Sequence, residues 1–247
     1  MAEMTENRPL DGKTALVTGA SSGIGAAVAE ALAEAGARLL LTGRDAGRLA
    51  AVAVRCGQAE TLPADLADLA NDGEGGEVHR LAARAGELFG SLDILIHAAG
   101  ALFFGPVAAT PLADLDRVLT INLRAPFLLT QLTLPLLRAA RGQVVFISSG
   151  VIRRTAPELS AYTASKLGLL GLADCLREEV AADGIRVITA APGRTATPMQ
   201  AELRRFEGQP YDPAGLLQPE DVASLVVAAL ALPRTAAVTD LFLRPGP

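Results

Sequence analysis

A tyrosine and a lysine four residues apart are the side chains best suited to chemistry in this 247-residue chain. Tyr162 and Lys166 lie in a stretch whose composition predicts a helix over residues 160–182, and positions i and i+4 share one face of a helix. A free phenol titrates near ~10, and a nearby cation lowers that pKa by favouring the phenolate. The pair is predicted to act as an acid/base device. The alternative is an exposed pair on an amphipathic helix.

The scarcity of lysine strengthens this interpretation. The chain has 22 basic side chains, of which only Lys13 and Lys166 are lysines. A chain with this bias would place arginine wherever any cation sufficed. Lys166 therefore indicates that a compact ammonium, rather than a planar guanidinium, is required at that position.

A glycine-rich turn near the start of the chain is a second candidate site. Gly19, Gly23 and Gly25 follow a predicted strand over 14–18 and precede a predicted helix over 26–36. Glycines in such a turn allow a tight bend, close approach to a pyrophosphate and packing of helix on strand. The helix N-terminus would offer unpaired N–H groups to the anion. The context predicts dinucleotide binding, although the spacing is Gly-x3-Gly-x-Gly rather than the commonest fingerprint. A ligand-free loop is the alternative.

The end of the second predicted strand bears on cofactor choice. A carboxylate there would suit the ribose hydroxyl of NAD, and an arginine would suit the 2′-phosphate of NADP. The sequence has Gly43 followed by Arg44, which favours NADP(H), with NAD(H) as the other option. Arg44 could instead be a solvated charge beside a helix cap at Asp45. Arg48 and Ser22 are lesser candidates for the same phosphate.

Strand and helix patterns alternate along the whole chain. Predicted strands cover 14–18, 38–42, 60–63, 92–96, 143–147, 186–190 and 238–243. Predicted helices cover 26–36, 46–54, 77–88, 112–139, 160–182 and 219–231. Apolar runs such as 39–41 and 94–96 do not alternate with polar residues, as is typical of strands covered on both faces. The pattern predicts an α/β fold with a doubly wound parallel sheet of about seven strands and helices on both faces.

The domain prediction is correspondingly simple. Residues 1–10 are predicted to form a flexible arm, residues 71–76 a flexible turn, and residues 11–247 a single domain. The less regular segment over 197–217 is predicted to be a substrate lid.

Composition argues against several classes of protein. The net charge is −5 and the arginines are scattered among acids, which argues against a nucleic-acid partner. Two cysteines and two histidines lack metal-binding spacing, so no metal is expected. The chain has no apolar run of membrane-spanning length and no apolar signal core, so no membrane partner is expected and a cytoplasmic location is predicted.

Several of these features, taken together, resemble the short-chain dehydrogenase/reductase family of the single-domain Tyr-x3-Lys type. The resemblance covers about residues 11–243, and the motifs occur in the family's order. They are the turn from Thr18 to Gly25, Asp65, Asn122, Ser149 placed 13 residues before Tyr162, the Tyr162/Lys166 pair, Pro192-Gly193 and Thr197. The sequence departs from the family where Ala98-Ala99-Gly100 replaces the usual Asn-Ala-Gly, and in its C-terminal residues 243–247.

The resemblance implies a Rossmann-like fold and a set of site residues. Tyr162 would donate the proton, Ser149 would hydrogen-bond the reacting oxygen, Lys166 would lower the pKa of the tyrosine and bind the ribose, and Asn122 would hold a water. Ser149 could instead cap a strand end, as could Ser148, and Asn122 could simply kink a helix. The implied cofactor-binding residues are Gly19, Ser21, Ser22, Gly23, Ile24, Gly25, Arg44, Asp65, Leu66, Ala98, Ala99, Gly100, Tyr162, Lys166, Pro192, Gly193, Thr195 and Thr197.

The expected function is an NADPH-dependent reductase that transfers hydride to a ketone or aldehyde, either a ketoacyl thioester or a small carbonyl compound. The alternatives are an NAD-dependent alcohol or sugar dehydrogenase and a non-catalytic NADP-binding regulator. The resemblance also implies a homodimer or homotetramer, paired through the long helices.

Substrate choice is expected to lie in residues 101–106, 150–159 and 199–217. Four aromatic residues in or near these segments could line an apolar pocket: Phe103, Phe104, Phe206 and Tyr211. Three arginines could meet an acidic group on a substrate or a carrier protein, although solvated surface charge is the commoner role for such residues. They are Arg153, Arg154 and Arg204.

Overall fold

Seven parallel strands form one sheet in the computed structural model, which describes residues 8–57, 59–68 and 76–246. The predicted arm up to residue 7 and the predicted turn up to residue 75 lie outside the described residues. The strands are β1 (Thr14–Thr18), β2 (Arg38–Leu41), β3 (Glu60–Thr61), β4 (Ile94–His97), β5 (Gln143–Ile147), β6 (Arg186–Pro192) and β7 (Asp240–Leu243).

The order of the strands is β3-β2-β1-β4-β5-β6-β7, and every pairing is parallel. The chain moves outward from β1 in one direction, returns to β4 and then moves outward in the other. In open α/β sheets, ligands bind outside the carboxyl ends of the strands at such a switch point.

The helices are α1 (Gly23–Glu34), α2 (Ala46–Arg55), α3 (Glu77–Phe89), α4 (Leu112–Leu119), α5 (Ala125–Ala140), α6 (Ser160–Glu179), α7 (Pro198–Phe206) and α8 (Pro219–Ala231). Residues from α1, α2 and α8 pack on one face of the sheet, and residues from α3, α5 and α6 on the other. Successive residues of one strand serve opposite faces: Val17 belongs to the first core and Leu16 to the second. The predicted doubly wound sheet with helices on both faces is confirmed.

The long helical region predicted over 112–139 is present as α4 and α5, with a π-helical turn, Thr120–Arg124, between them. The segment over 197–217 was expected to be less regular than its neighbours, but it begins with a regular helix, α7. Thr197 caps that helix by accepting a hydrogen bond from the Gln200 amide at 3.2 Å, and Pro198 takes the first helical position.

Candidate active site

Two adjoining cavities open at the carboxyl ends of the strands. The first, here the glycine-turn cleft, is lined by the turn after β1, the end of β2, residues 64–66 and residues 98–100. The second, here the Ser149 cavity, has a volume of about 790 Å³ and is lined by residues after β5 and β6 and by α7. Five residues line both cavities and form the boundary between them: Ile24, Ser148, Tyr162, Thr197 and Met199.

The structure brings nearly all of the predicted site residues to these two cavities. The glycine-turn cleft contains Gly19, Ser21, Ser22, Gly23, Ile24, Gly25, Arg44, Asp65, Leu66, Ala98, Ala99, Gly100, Tyr162, Lys166 and Thr197. The Ser149 cavity adds Ser149, Pro192, Gly193 and Thr195. Asn122 lines neither cavity.

Sequence reasoning missed several residues that line the glycine-turn cleft. They are Thr42, Ala64, Ile121, Ile147 and Pro198. Each is adjacent in sequence to a predicted site residue or stands at the end of a strand. The rule that ligands meet the carboxyl ends of parallel strands is the signal that could have found Thr42 and Ile147.

The glycine turn is packed too closely to accept side chains. Gly19 has a φ of +67°, and a Cβ there would lie 2.6 Å from the Cα of Ala99. A Cβ on Gly25 would lie 2.2 Å from the carbonyl oxygen of Gly19. The side chain of Ser22, which precedes α1, makes no capping bond, so no side chain satisfies the first amides of the helix there. A close-packed backbone cradle and an uncapped helix N-terminus fit the pyrophosphate of a dinucleotide.

Thr18 stabilises the turn after β4, where Ala98 replaces the family's asparagine. The Thr18 hydroxyl accepts hydrogen bonds from the amides of Ala98 and Ala99 at 3.1 and 3.2 Å. The same hydroxyl lies 3.2 Å from the carbonyl oxygen of Ile96, to which it donates. The backbone at Ala98 is therefore held from the neighbouring strand, a role of Thr18 that sequence reasoning missed.

Tyr162 lies at the boundary of the two cavities and keeps its proton at neutral pH. Burial raises the pKa of its phenol, and a side-chain hydrogen bond with Ser149 offsets part of that rise. The sequence-based expectation was a pKa lowered by Lys166, which is the opposite direction. Desolvation of the phenolate outweighs the nearby amine in this structure.

Lys166 is buried on the same wall of the cleft. Its ammonium donates a hydrogen bond to the carbonyl oxygen of Ile147 at 2.9 Å and lies 5.8 Å from the centroid of the Tyr162 ring. Burial lowers the pKa of Lys166 to about 8. The amine is thus closer to its neutral form than an exposed lysine, which weakens its electrostatic effect on the phenol.

The two serines after β5 differ in their contacts. The hydroxyl of Ser149 accepts a hydrogen bond from the Val151 amide at 3.3 Å, so the strand-end cap considered for this residue is present. That contact is compatible with the interaction between Ser149 and Tyr162. The Ser148 hydroxyl is buried and has no hydrogen-bond partner among the described residues, although Ser148 lines both cavities.

Asn122 fastens three segments behind the site. In the π turn, its carboxamide oxygen accepts from the Ala101 amide at 2.8 Å. Its nitrogen donates to the Ala101 carbonyl oxygen and to the Ser165 hydroxyl, both at 2.9 Å. A π turn interrupts the regular helix at this residue, and the Asn122 side chain joins the turn to the loop after β4 and to α6, next to Lys166.

The end of β2 presents Arg44 to the glycine-turn cleft. Arg44 is exposed and has no ion pair with any described residue. Asp45 is engaged elsewhere: it caps α2 by accepting from the Arg48 amide at 2.9 Å, and it lies 3.3 Å from the Arg48 guanidinium. The helix cap considered in the sequence is therefore present at Asp45, and it leaves the guanidinium of Arg44 available to a ligand.

The apolar lining of the Ser149 cavity differs from the expected one. Leu102, Val151, Leu159, Leu203 and Leu216 supply it. None of Phe103, Phe104, Phe206 and Tyr211 is among the residues lining either cavity. The rings of Phe104 and Phe206 instead stack on each other, with centroids 5.9 Å apart.

His97 has a structural environment. Its ring is 2 % exposed, stacks on Phe146 with centroids 4.9 Å apart, and places Nε2 2.9 Å from the Thr130 hydroxyl. Burial lowers the pKa of His97 to about 3, so the ring is neutral.

Within the described ranges no cluster of three or more His, Cys, Asp or Glu could hold a metal ion. The described helices include none that is long and apolar enough to cross a membrane.

A doubly wound parallel sheet with a glycine turn at its switch point defines the Rossmann-like class of folds. Residues 13–208 match the family model for short chain dehydrogenase, and the chain belongs to this family of oxidoreductases. The resemblance drawn from the sequence motifs is confirmed.

Individual relatives agree with the family assignment. A glycine betaine reductase of Emericella nidulans is 36 % identical over 96 % of this chain, which spans only 19 % of that relative's length. The structure of a metagenomic short-chain oxidoreductase in complex with NADP is 31 % identical, with a TM-score of 0.81 over 97 % of this chain and 100 % of the other. A variant of actinorhodin polyketide ketoreductase with NADPH is 26 % identical, with a TM-score of 0.85 over 95 % of this chain and 96 % of the other.

Proposed function

We propose that this protein is an NADPH-dependent reductase that converts a ketone or aldehyde to an alcohol. The observation that carries the proposal is the position of Tyr162, which lines both cavities at their boundary, next to the Ser149 cavity and to Lys166. A reductase needs a proton donor beside the carbonyl oxygen that receives charge. A phenol whose pKa is raised by burial holds the proton that this step consumes.

Each side chain of the site has a defined task in this proposal. NADPH, when bound in the glycine-turn cleft, supplies the hydride. In the Ser149 cavity, the Ser149 hydroxyl donates a hydrogen bond to the substrate carbonyl oxygen and stabilises the charge that develops there. Tyr162 transfers its proton to the same oxygen. Lys166 holds the wall of the cleft through Ile147 and offers further N–H donors to a ribose hydroxyl. The water that Asn122 was expected to hold stays a prediction.

The choice of NADPH over NADH rests on Arg44. Arg44 makes no ion pair with any of the residues that the structure describes, and its guanidinium beside the cleft suits a 2′-phosphate, because arginine binds phosphate through two parallel hydrogen bonds. The solved relatives that carry NADP or NADPH support the same choice. The other residues proposed to hold the cofactor are the cofactor-binding residues that the family resemblance implied.

Two further elements complete the proposal. Helix α7 contributes Pro198 and Met199 to the glycine-turn cleft, which supports a lid role for residues 197–217. Leu112 and Phe127 on α4 and α5 are 74 % and 55 % exposed, which supports a homodimer or homotetramer in which these helices pair.

Replacement of Tyr162 by phenylalanine tests the proposed chemistry. Tyr162→Phe keeps the ring and removes only the proton donor, so NADPH-dependent reduction of a panel of ketones and aldehydes should fall by about 10²–10⁴-fold. NADPH binding, measured by fluorescence titration, should change by less than about twofold. Turnover by Tyr162→Phe equal to that of the unmodified protein would refute the assigned role of Tyr162. Failure of the unmodified protein to reduce any ketone or aldehyde of the panel would refute the proposed function.

A further inference from the structure

The Ser149 cavity carries an excess of positive charge that the chain as a whole does not. Four arginines line it and no aspartate or glutamate does: Arg154, Arg194, Arg204 and Arg244. The whole chain has a net charge of −5. The guanidinium groups are therefore concentrated at one concave surface, the surface that adjoins Tyr162 and Ser149.

One carboxylate partly neutralises two of these arginines. Glu207 accepts hydrogen bonds from Arg194 at 2.9 Å and from Arg204 at 3.2 Å. The hydrogen bond from Arg194 is the largest influence on Glu207 and holds the pKa of its carboxyl below the usual range. The three side chains form a fixed charged group of α7 and the segment before it.

The other two arginines have no such partner. The guanidinium groups of Arg154 and Arg244 make no hydrogen bond or ion pair with any residue that the structure describes. They come from separate segments, after β5 and after β7, that meet at this cavity. Guanidinium is a rigid fork of N–H donors with strong complementarity to carboxylate and phosphate oxygens.

Neighbouring arginines show that this arrangement is not a general feature of the surface. Arg153 packs over the ring of Phe242, with Cζ 3.9 Å from the centroid. Arg205 lies 3.8 Å from the Glu202 carboxylate and packs over Phe206. Neither lines either cavity. Arg153 and Arg205 are therefore charge-matched controls for the arginines that do.

We propose that the substrate of this enzyme carries an anionic group, a carboxylate or a phosphate, which binds to Arg154 and Arg244 while the carbonyl faces Tyr162 and Ser149. The inference rests on the proposed function and adds the chemical class of the substrate. Charges that line a concave, low-dielectric wall focus their field into the cavity, which raises the local concentration of an anion and repels a cation. Arg154 and Arg244 are thus specificity-determining residues.

A set of para-substituted benzaldehydes measures this charge preference at constant ring size. The substituents are carboxylate, phosphate monoester, methyl ester and trimethylammonium, and kcat/KM is determined for each with saturating NADPH at low salt. We expect the better of the two anions to exceed the ester by about 10-fold or more, as one charge-assisted hydrogen bond would provide, and the ammonium compound to be poorest. The carboxylate and phosphate arms identify which anion the cavity takes.

Two double variants locate the preference. In Arg154→Gln/Arg244→Gln the ratio of anion to ester should fall towards one. In Arg153→Gln/Arg205→Gln, which removes the same charge from outside the cavity, the ratio should be retained. Equal kcat/KM for anion and ester in the unmodified protein would overturn the inference while leaving the reductase intact. An equal loss of the ratio in both double variants would also overturn it, because long-range charge would then explain the preference.

A binding measurement makes the inference independent of turnover. Isothermal titration calorimetry of the full chain would compare two anionic alcohols, 4-carboxybenzyl alcohol and 4-(hydroxymethyl)phenyl phosphate, with the neutral methyl ester of the first. At least one anion should bind more tightly than the ester. Arg154→Gln/Arg244→Gln should remove that difference, and its affinity for NADPH should stay within about twofold. Anion binding unchanged in that variant would contradict the inference, as would a weakening of NADPH binding equal to the loss of anion binding. If no aldehyde is reduced but the anion preference is present, the function fails and the binding site stands.

Discussion

Desolvation controls three ionisable side chains near the carboxyl ends of β4 and β5: His97 and Lys166, which are buried, and Tyr162, which is half-buried. It raises the pKa of Tyr162, lowers that of Lys166 to about 8 and lowers that of His97 to about 3. In each case the neutral form is favoured, because a low-dielectric environment penalises charge of either sign. The sequence could pair Tyr162 with Lys166 by spacing, but it could not supply the extent of burial that decides the direction of each shift.

The stability of the protein should depend on pH through His97. The unfolded ring titrates near ~6.5 and the folded ring at about 3, so the unfolded state binds more protons between these values. The contribution of His97 to the free energy of unfolding is then fully present above pH ~6.5. It falls as the pH drops, by about 2 kcal/mol between pH 7 and pH 5. Urea unfolding of His97→Gln, which can still hydrogen-bond Thr130, should show a smaller loss over that interval. An identical loss in both proteins would assign the acid sensitivity elsewhere.

Cofactor preference should respond to Arg44, which lines the glycine-turn cleft, and not to Arg55 at the end of α2. Arg44→Gln should weaken NADPH binding by about 10–100-fold, because a charge-assisted bond to a phosphate is lost, and should leave NADH binding little changed. Arg55→Gln is the matched control, because Arg55 pairs with Glu30 and does not line the cleft. Fluorescence titration with both nucleotides measures the ratio. An unchanged ratio in Arg44→Gln would remove the basis for NADP preference.

At the scale of elements, the π turn between α4 and α5 places Asn122 where a regular helix would not. The apolar pattern over 112–139 is continuous, so the sequence predicted a long helical region without locating the π turn, although Pro126 lies just beyond it. Pro126 lacks the N–H that would bond the Asn122 carbonyl oxygen in a regular helix, and the bonds from Asn122 to Ala101 and Ser165 stabilise the turn. The beginning of α7 had a local signal, Thr197 followed by Pro198, which a closer reading of capping residues would have found.

Loss of the Asn122 side chain should loosen the loop after β4. Asn122→Ala leaves the Ala101 amide and carbonyl without partners, which should cost about 2–3 kcal/mol of the free energy of unfolding. Hydrogen exchange at the Ala101 amide should accelerate more than exchange in β5. Ser165→Ala removes only one of the three bonds and should have a smaller effect on both quantities. Equal protection of Ala101 in Asn122→Ala would mean that the side chain does not hold this loop.

At the scale of the whole molecule, the doubly wound parallel sheet was predictable from the sequence, and the close contacts between its residues were not. Alternating apolar strands and helices indicate a doubly wound sheet, because each element must bury its apolar face. Tyr162 and Gly19 were found because their residue type and their spacing from Lys166 and from Gly23 together form a motif. The role of Thr18 in holding the turn after β4 was missed, because a threonine at the end of a strand is also a common strand former, and its partners are some 80 residues away in sequence.

The packing of α1 on the sheet gives a prediction at this scale. Gly25→Ala should destabilise the protein by about 1–3 kcal/mol, because the new Cβ would overlap the Gly19 carbonyl and force α1 away from β1. Gly171→Ala is the matched control: nothing lies within 4 Å of a Cβ there, and the change within α6 should stabilise by about 0.5–1 kcal/mol. Thermal unfolding should separate the two in sign. Stabilisation by both would contradict the close contact.

The near absence of lysine makes the protein unusually simple to label at amines. Lys13 is half exposed and paired with Asp93 at 2.9 Å, whereas Lys166 is buried in the cleft with a pKa of about 8. A small acylating reagent at pH 8 would therefore meet a substantial unprotonated fraction at Lys166. Mass spectrometry of the modified peptide would then report directly, and without an assay, whether the cleft is occupied.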